Sequence, residues 1–178
     1  MKVPQKNSVP ITEKLCERYA DIISRYVCRK ATLALARFLA AGRYGNIPRC
    51  CLLISCGGLL QPTHMCFLGP DAERFLSNIE AEVLFLGTSG VRGSLGLTTS
   101  SPLQLNIKQA MIRAARKRVA LFDLSKFKAA RLFMFSDFSN IDTIITTRPA
   151  RDSIEEAYFA EIERKNVEII YADMPDNT

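Results

Sequence analysis

Several things that the chain does not contain narrow its function before any motif is read. No stretch of the 178 residues approaches the ~18 consecutive apolar residues of a membrane span, and the longest apolar run, Cys50 to Leu60, is broken by two glycines and a serine. The first ten residues, MKVPQKNSVP, are polar and carry two prolines, unlike a secretory signal. There is a single histidine, His64, beside Met65 and Cys66, and no recognisable spacing supplies four metal ligands around it. Six cysteines stand at 16, 28, 50, 51, 56 and 66 without one Cys-x-x-Cys pair, and several lie in apolar runs where a thiol behaves as a small hydrophobe. These absences lead us to expect a soluble, cytoplasmic protein with reduced thiols, no metal and no cofactor. Neither G-x-x-x-x-G-K-[ST] nor G-x-G-x-x-G occurs, which argues against a conventional nucleotide site. With no G-x-S-x-G elbow and no base beside a serine or cysteine, nucleophilic catalysis has little to work with.

What is present is ordinary globular material: 48% hydrophobic and 24% charged residues, enough length for one domain with a proper core. The net charge of +6, with a pI near 9.1, biases the chain toward anionic partners such as phosphorylated metabolites or nucleic acid.

Residues 1–10 read as a loose leader, and 11–178 as one domain. From Ile11 to about Ala41 there is no proline or glycine, and Leu15, Tyr19, Ile22, Ile23, Tyr26 and Val27 fall at helical spacing. The pattern predicts one long helix, or two with a break near Cys28–Ala31, within a helical region 11–49. Cys50–Cys56 reads as a buried strand, Asp71 to Ile79 as a short helix and Glu82–Leu86 as the next strand. Leu103, Ile107, Ala110, Met111 and Ala114 form an apolar stripe, with Lys108, Arg113, Arg116, Lys117 and Arg118 beside it, a basic helix over 103–118. Strands are expected at 118–123, 142–147 and 167–171, with a helix from Asp152 to about Lys165 capped by Asp152 or Ser153; residues 126–138 stay ambiguous. Apolar strands alternating with helices predict an α/β fold, a mostly parallel sheet with helices on both faces.

In such a sheet ligands bind beyond the carboxyl ends of the strands. Gly57 and Gly58 come after the first strand. Gly87, Thr88, Ser89 and Gly90 come after the second, Asp123, Ser125 and Lys126 after the third, and Thr146, Thr147 and Arg148 after the fourth. Glycines admit phosphate oxygens to backbone N–H groups, hydroxyls add donors, Lys108 or Lys126 supplies positive charge, and Asp123 accepts from sugar hydroxyls. The composition of these ends predicts a polyol-phosphate pocket. Asp123 and Lys126, three apart, also suit a turn ion pair.

The ordered motifs CGGLL, FLGP-x-AE, FLGTSGV-x-GSLGLTT, IKQAMI-x-AA, LFDLSKF and IDTIITT resemble the C-terminal effector-sensing domain of DeoR-family transcriptional regulators, over roughly Gly57 to Tyr171. The resemblance implies a fold shared with ribose-5-phosphate isomerase and glucosamine-6-phosphate deaminase. It also implies binding of a phosphorylated sugar or related metabolite without turnover, and an oligomer, either of this chain or with full-length relatives. Gly57, Gly58, Gly87 to Gly90, Lys108, Asp123, Ser125 and Lys126 match the family's pocket-lining motifs. The chain departs from the family pattern in two places. No winged helix-turn-helix precedes Cys50, so DNA binding is expected only where that reader is supplied elsewhere and the chain is expected to be a truncated regulator. Arg29-Lys30-Ala31 also stand where the Asp-x-Gly-Thr-Thr phosphate loop belongs. Two other readings remain: an isomerase- or deaminase-like enzyme with Asp123 or Glu73 as base, and a DNA-binding protein acting through the basic helix 103–118.

Overall fold

The computed structural model describes residues 32–33, 54–62 and 66–172. Its frame is a five-stranded sheet in the order β1-β4-β7-β9-β10, with every neighbouring pair parallel. The strands are β1 (Thr32–Leu33), β4 (Ala81–Gly87), β7 (Ala115–Leu121), β9 (Thr143–Thr147) and β10 (Glu168–Ala172). A hairpin of β2 (Leu59–Gln61) and β3 (Cys66–Leu68) stands apart from it. A three-stranded antiparallel sheet of β5 (Gly90–Arg92), β6 (Gly96–Thr99) and β8 (Phe133–Asp137) completes the strands. The helices are α1 (Pro70–Ser77), α2 (Pro102–Arg113) and α3 (Ile154–Glu163), with 3-10 turns at Leu124–Ala129 and Phe138–Asn140.

Alternation along the parallel strands divides the core. Leu84, Leu86, Ala120, Phe122 and Ile144 face α3, with Phe159 and Ile162, and the small sheet, with Val91, Leu97 and Phe135. Val83, Phe85, Val119, Leu121 and Ile145 form the opposite apolar face and are themselves buried. The helical layer expected from residues 11–41 falls on positions most of which lie outside the described residues. The α3 start bears out the capping expectation: Ser153 Oγ accepts from Glu156 N at 3.2 Å, and the Glu156 carboxylate accepts from Asp152 N at 2.7 Å.

Elsewhere the structure corrects the sequence reading. Thr32–Leu33, expected in the long helix, pairs with Val83–Leu84 as an edge strand. Of the expected strand Cys50–Cys56, residues 50–53 lie outside the described residues, and Ile54–Cys56 carry no regular structure. The next segment, loop-like in sequence, holds the β2–β3 hairpin. Helix α2 stops at Arg113, not near 118. Ala81 N donates to Ala114 O at 2.7 Å, and from Ala115 the chain is drawn into parallel pairing with β4, so Arg116, Lys117 and Arg118 are strand residues. Leu103 is not on the buried stripe (45% exposed); Gln104, Ile107, Ala110 and Ala114 are. The glycine-rich stretch after β4, loop-like in sequence, folds into the β5–β6 hairpin, whose turn signal is Gly93-Ser94 between Val91 and Leu97.

Candidate functional site

The carboxyl rim of the sheet is built by the segments that leave β4, β7 and β9. After β4, Thr88 turns the chain. Its Oγ1 lies 2.7 Å from the Gly90 carbonyl and 3.0 Å from the Thr98 carbonyl, and accepts from Gly90 N at 3.3 Å. The hydroxyl therefore stitches the loop to β6, with Ser89 half-buried at its apex. Gly90 has a packing reason. A Cβ there would fall far inside van der Waals contact of the Ala129 carbonyl, so only glycine lets the turn after β7 dock on β5.

That turn begins at Asp123, which is 4% exposed. Its Oδ1 accepts from Ser125 N at 2.8 Å, and Lys126 N donates to the Asp123 carbonyl at 3.1 Å. The carboxylate thus caps the 3-10 turn Leu124–Ala129. The anticipated Asp123–Lys126 ion pair is not made; the turn closes through the backbone, leaving Lys126 half-buried with no ion pair among the described residues. Asp123 Oδ2 is buried and has no hydrogen-bond partner. On the neighbouring strand Thr146 Oγ1 is in the same condition.

Lys108 reaches the rim from α2. Its Nζ donates to the Gly87 carbonyl at 2.6 Å and lies 4.8 Å from the centre of the Phe135 ring. Burial lowers its pKa to about 8, against a smaller raising influence from Cys66. Gly87, Thr88, Gly90, Lys108, Asp123, Ser125 and Lys126 thus belong to one connected rim. Gly57 and Gly58 do not join it through any described contact. Both have positive φ, and Gly58 abuts the Leu68 carbonyl and Ala72, which makes it a close-approach residue of the β2–β3 hairpin. The hairpin touches α2 through Gln61, whose Oε1 accepts from Gln104 Nε2 at 3.2 Å; Gln104 Oε1 in turn accepts from Thr99 Oγ1 at 2.8 Å. Sequence reasoning misses Gln104, because a glutamine beside an apolar stripe reads as a solvent-facing residue.

The structure also places the other candidates. Glu73 lies on α1, which packs on α2. The basic cluster is dispersed: Arg116 pairs with Glu80 at 2.7 Å, and Arg118 makes a two-toothed pair with Asp142 at 2.8 and 3.2 Å. No basic helix over 103–118 exists to enter a groove. His64 lies outside the described residues; among those described, no group of three or more His, Cys, Asp or Glu is placed to hold a metal, and no helix is long and apolar enough to cross a membrane.

The polar groups and the half-buried Lys108 stand at the carboxyl rim of the parallel sheet, the end at which α/β sheets commonly bind ligands. Residues 36–148 match the family model described as the DeoR C terminal sensor domain, and the chain belongs to that family. It is 33% identical over 105 residues to the HTH-type transcriptional regulator GlpR of Haloferax volcanii, covering 57% of this chain and 41% of that protein. It is 27% identical over 99 residues to the L-fucose operon activator of Haemophilus influenzae (56% and 40%), and 27% identical over 96 residues to the deoxyribose operon repressor of Escherichia coli K12 (54% and 38%). The chain spans about half the length, or less, of the curated relatives it matches.

Proposed function

We propose that this chain is the effector-binding module of a DeoR-type regulator of sugar metabolism genes. Its effector is a phosphorylated sugar, held at the carboxyl rim of the sheet and released unchanged. The observation that carries this reading is the Asp123 carboxylate, buried with one oxygen satisfied by its own turn and the other left without a donor. A buried, unmatched carboxylate oxygen is costly, and a ligand hydroxyl is the neutral donor that relieves it. The half-buried Lys126 on the same turn suits the anionic end. The relatives are regulators, two of them named for the L-fucose and deoxyribose operons. We therefore favour sensing over turnover. Control of transcription requires a DNA reader acting with this module, and the described residues assign none.

A thermal-shift panel of sugar phosphates tests the reading. A ligand present at about 100 times its dissociation constant stabilises the fold by about 2.7 kcal/mol. A folded protein that responds to no member of the panel, or that converts ribose 5-phosphate or glucosamine 6-phosphate catalytically, removes it.

A further inference from the structure

Helix α3 and the three-stranded sheet lie side by side on one face of the parallel sheet. Phe159 and Ile162 of α3 share a core with Val91, Leu97 and Phe135 of the small sheet, so the opposite sides of both elements look outward. The β5–β6 turn joins them. A Cβ at Gly93 would stand 3.3 Å from the Tyr158 ring, Ser94 Oγ donates to the Glu161 carboxylate, and Lys165 Nζ donates to the Ser94 carbonyl at 3.0 Å. One residue before Gly93, Arg92 Nη2 donates to the carbonyls of Arg131 at 2.9 Å and Leu132 at 3.2 Å. Glu161 and Arg131 thus stand at the two ends of one continuous outward surface. Four of the eight large apolar side chains exposed among the described residues belong to it: Leu95 (54%), Leu132 (76%), Met134 (40%) and, one helical turn before Tyr158, Ile154 (61%). Met134 lies over Gly96, where a Cβ would meet its sulfur at 3.1 Å. Exposed apolar side chains grouped in this way mark an interaction surface.

The surface is divided by charge. Helix α3, Ile154–Glu163, carries Glu155, Glu156, Glu161 and Glu163 and no lysine or arginine. From Lys126 to Ser136 the chain carries Lys126, Lys128 and Arg131 and no carboxylate, with Arg92 beside them. Among the described residues, none of Lys128, Arg131 and Glu161 makes an ion pair. A partner of one sign would be drawn to one half and repelled by the other, and like charges brought together reject a partner. A second copy turned about a two-fold axis presents the same halves in reverse order, so both are matched. We propose that this chain forms a two-fold dimer through the outer surface of α3 and the small sheet. Arg131 of each protomer faces Glu161 of the partner subunit, and Leu132 and Met134 are covered between them. The dimer does not depend on the identity of the effector.

Sedimentation equilibrium of the full chain and of Arg131→Glu, Glu161→Arg and Leu132→Ser tests this. The native chain should be a dimer whose association weakens as salt is raised. Arg131→Glu and Glu161→Arg each set like charges against one another and should associate at least about tenfold more weakly. All three positions are exposed, so the melting temperatures should hardly move. Mixed in equal amounts, Arg131→Glu and Glu161→Arg should recover the native dimer, because each then opposes the sign that the other has gained. Recovery on mixing separates exchanged charges from damage to the fold, which mixing does not repair. Leu132→Ser alters no charge; it should weaken the dimer and stay weak in every mixture. A native chain that is monomeric at all concentrations overturns the inference, and so does a dimer insensitive to salt. Arg131→Glu that dimerises as the native chain does, or variants that stay apart on mixing, overturns it as well.

Discussion

Gly90 sits so close to the Ala129 carbonyl that no side chain fits between them, and this contact locks the loop after β4 to the turn after β7. Gly90→Ala should therefore cost about 3 kcal/mol, the upper end for overpacking, because the obstacle is backbone and not a movable side chain. Urea denaturation measures it. A loss within error of zero would mean that the two loops are not held together.

Lys108 gives the protein a pH signature. Its amine titrates near 8 when folded and near 10.5 when unfolded, so between these values the unfolded chain binds more protons. Stability contributed by this group must rise with pH across that window, by an amount on the order of 3 kcal/mol, and be flat below it. Comparison of the native chain with Lys108→Met from pH 7 to 10.5 isolates the effect. If the two stability curves run parallel, Lys108 is not desolvated.

Asp142 is the stitch between β7 and β9. One of its carboxylate oxygens accepts from Arg118 N at 2.7 Å and from Nε at 2.8 Å. Asp142→Ala leaves the backbone N–H and a partly buried guanidinium unmatched and should cost about 2 kcal/mol. Arg116→Ala, which removes an exposed pair with Glu80, should leave the melting temperature where it was. Equal effects of the two changes would contradict this ranking.

Phe127 anchors the 3-10 turn that bears Ser125 and Lys126. Its ring stacks on Tyr158 with centres 5.7 Å apart and meets Phe159 edge-on at 5.3 Å, with Phe122 at 5.9 Å. Phe127→Ala should cost about 3 kcal/mol and speed hydrogen exchange at the Ser125 and Lys126 amides more than at those of β4. Uniform acceleration across the sheet would show that the turn has no stability of its own.

Strands β4, β7 and β9 were legible because each contains an apolar run ended by turn residues: VLFLG, VALFD and TIITT state both their burial and where their loops begin. The residue classes at the strand ends were legible for the same reason, which is why Lys108, Asp123 and Lys126 stand out before any coordinates. Ser153 likewise advertises a helix start.

Position was not legible where a long-range partner outvotes local pattern. Arg116–Arg118 continue a helical charge pattern, yet parallel pairing with β4 from Ala115 makes them strand. Thr32–Leu33 lie in a helix-like sequence, but the free edge of β4 takes them as a strand. The assignments of single atoms depend still more on tertiary structure. That Gly90 serves packing against Ala129, that Lys108 is spent on the Gly87 carbonyl, and that Asp123 Oδ2 and Thr146 Oγ1 have no partner are facts about residues brought together from distant parts of the chain. The sequence by itself determined the kinds of group at the rim, through strand length and the turn chemistry at each strand end. Only the tertiary structure decided which of those groups are already satisfied, because a hydrogen bond between loops is set by the packing of the strands that carry them.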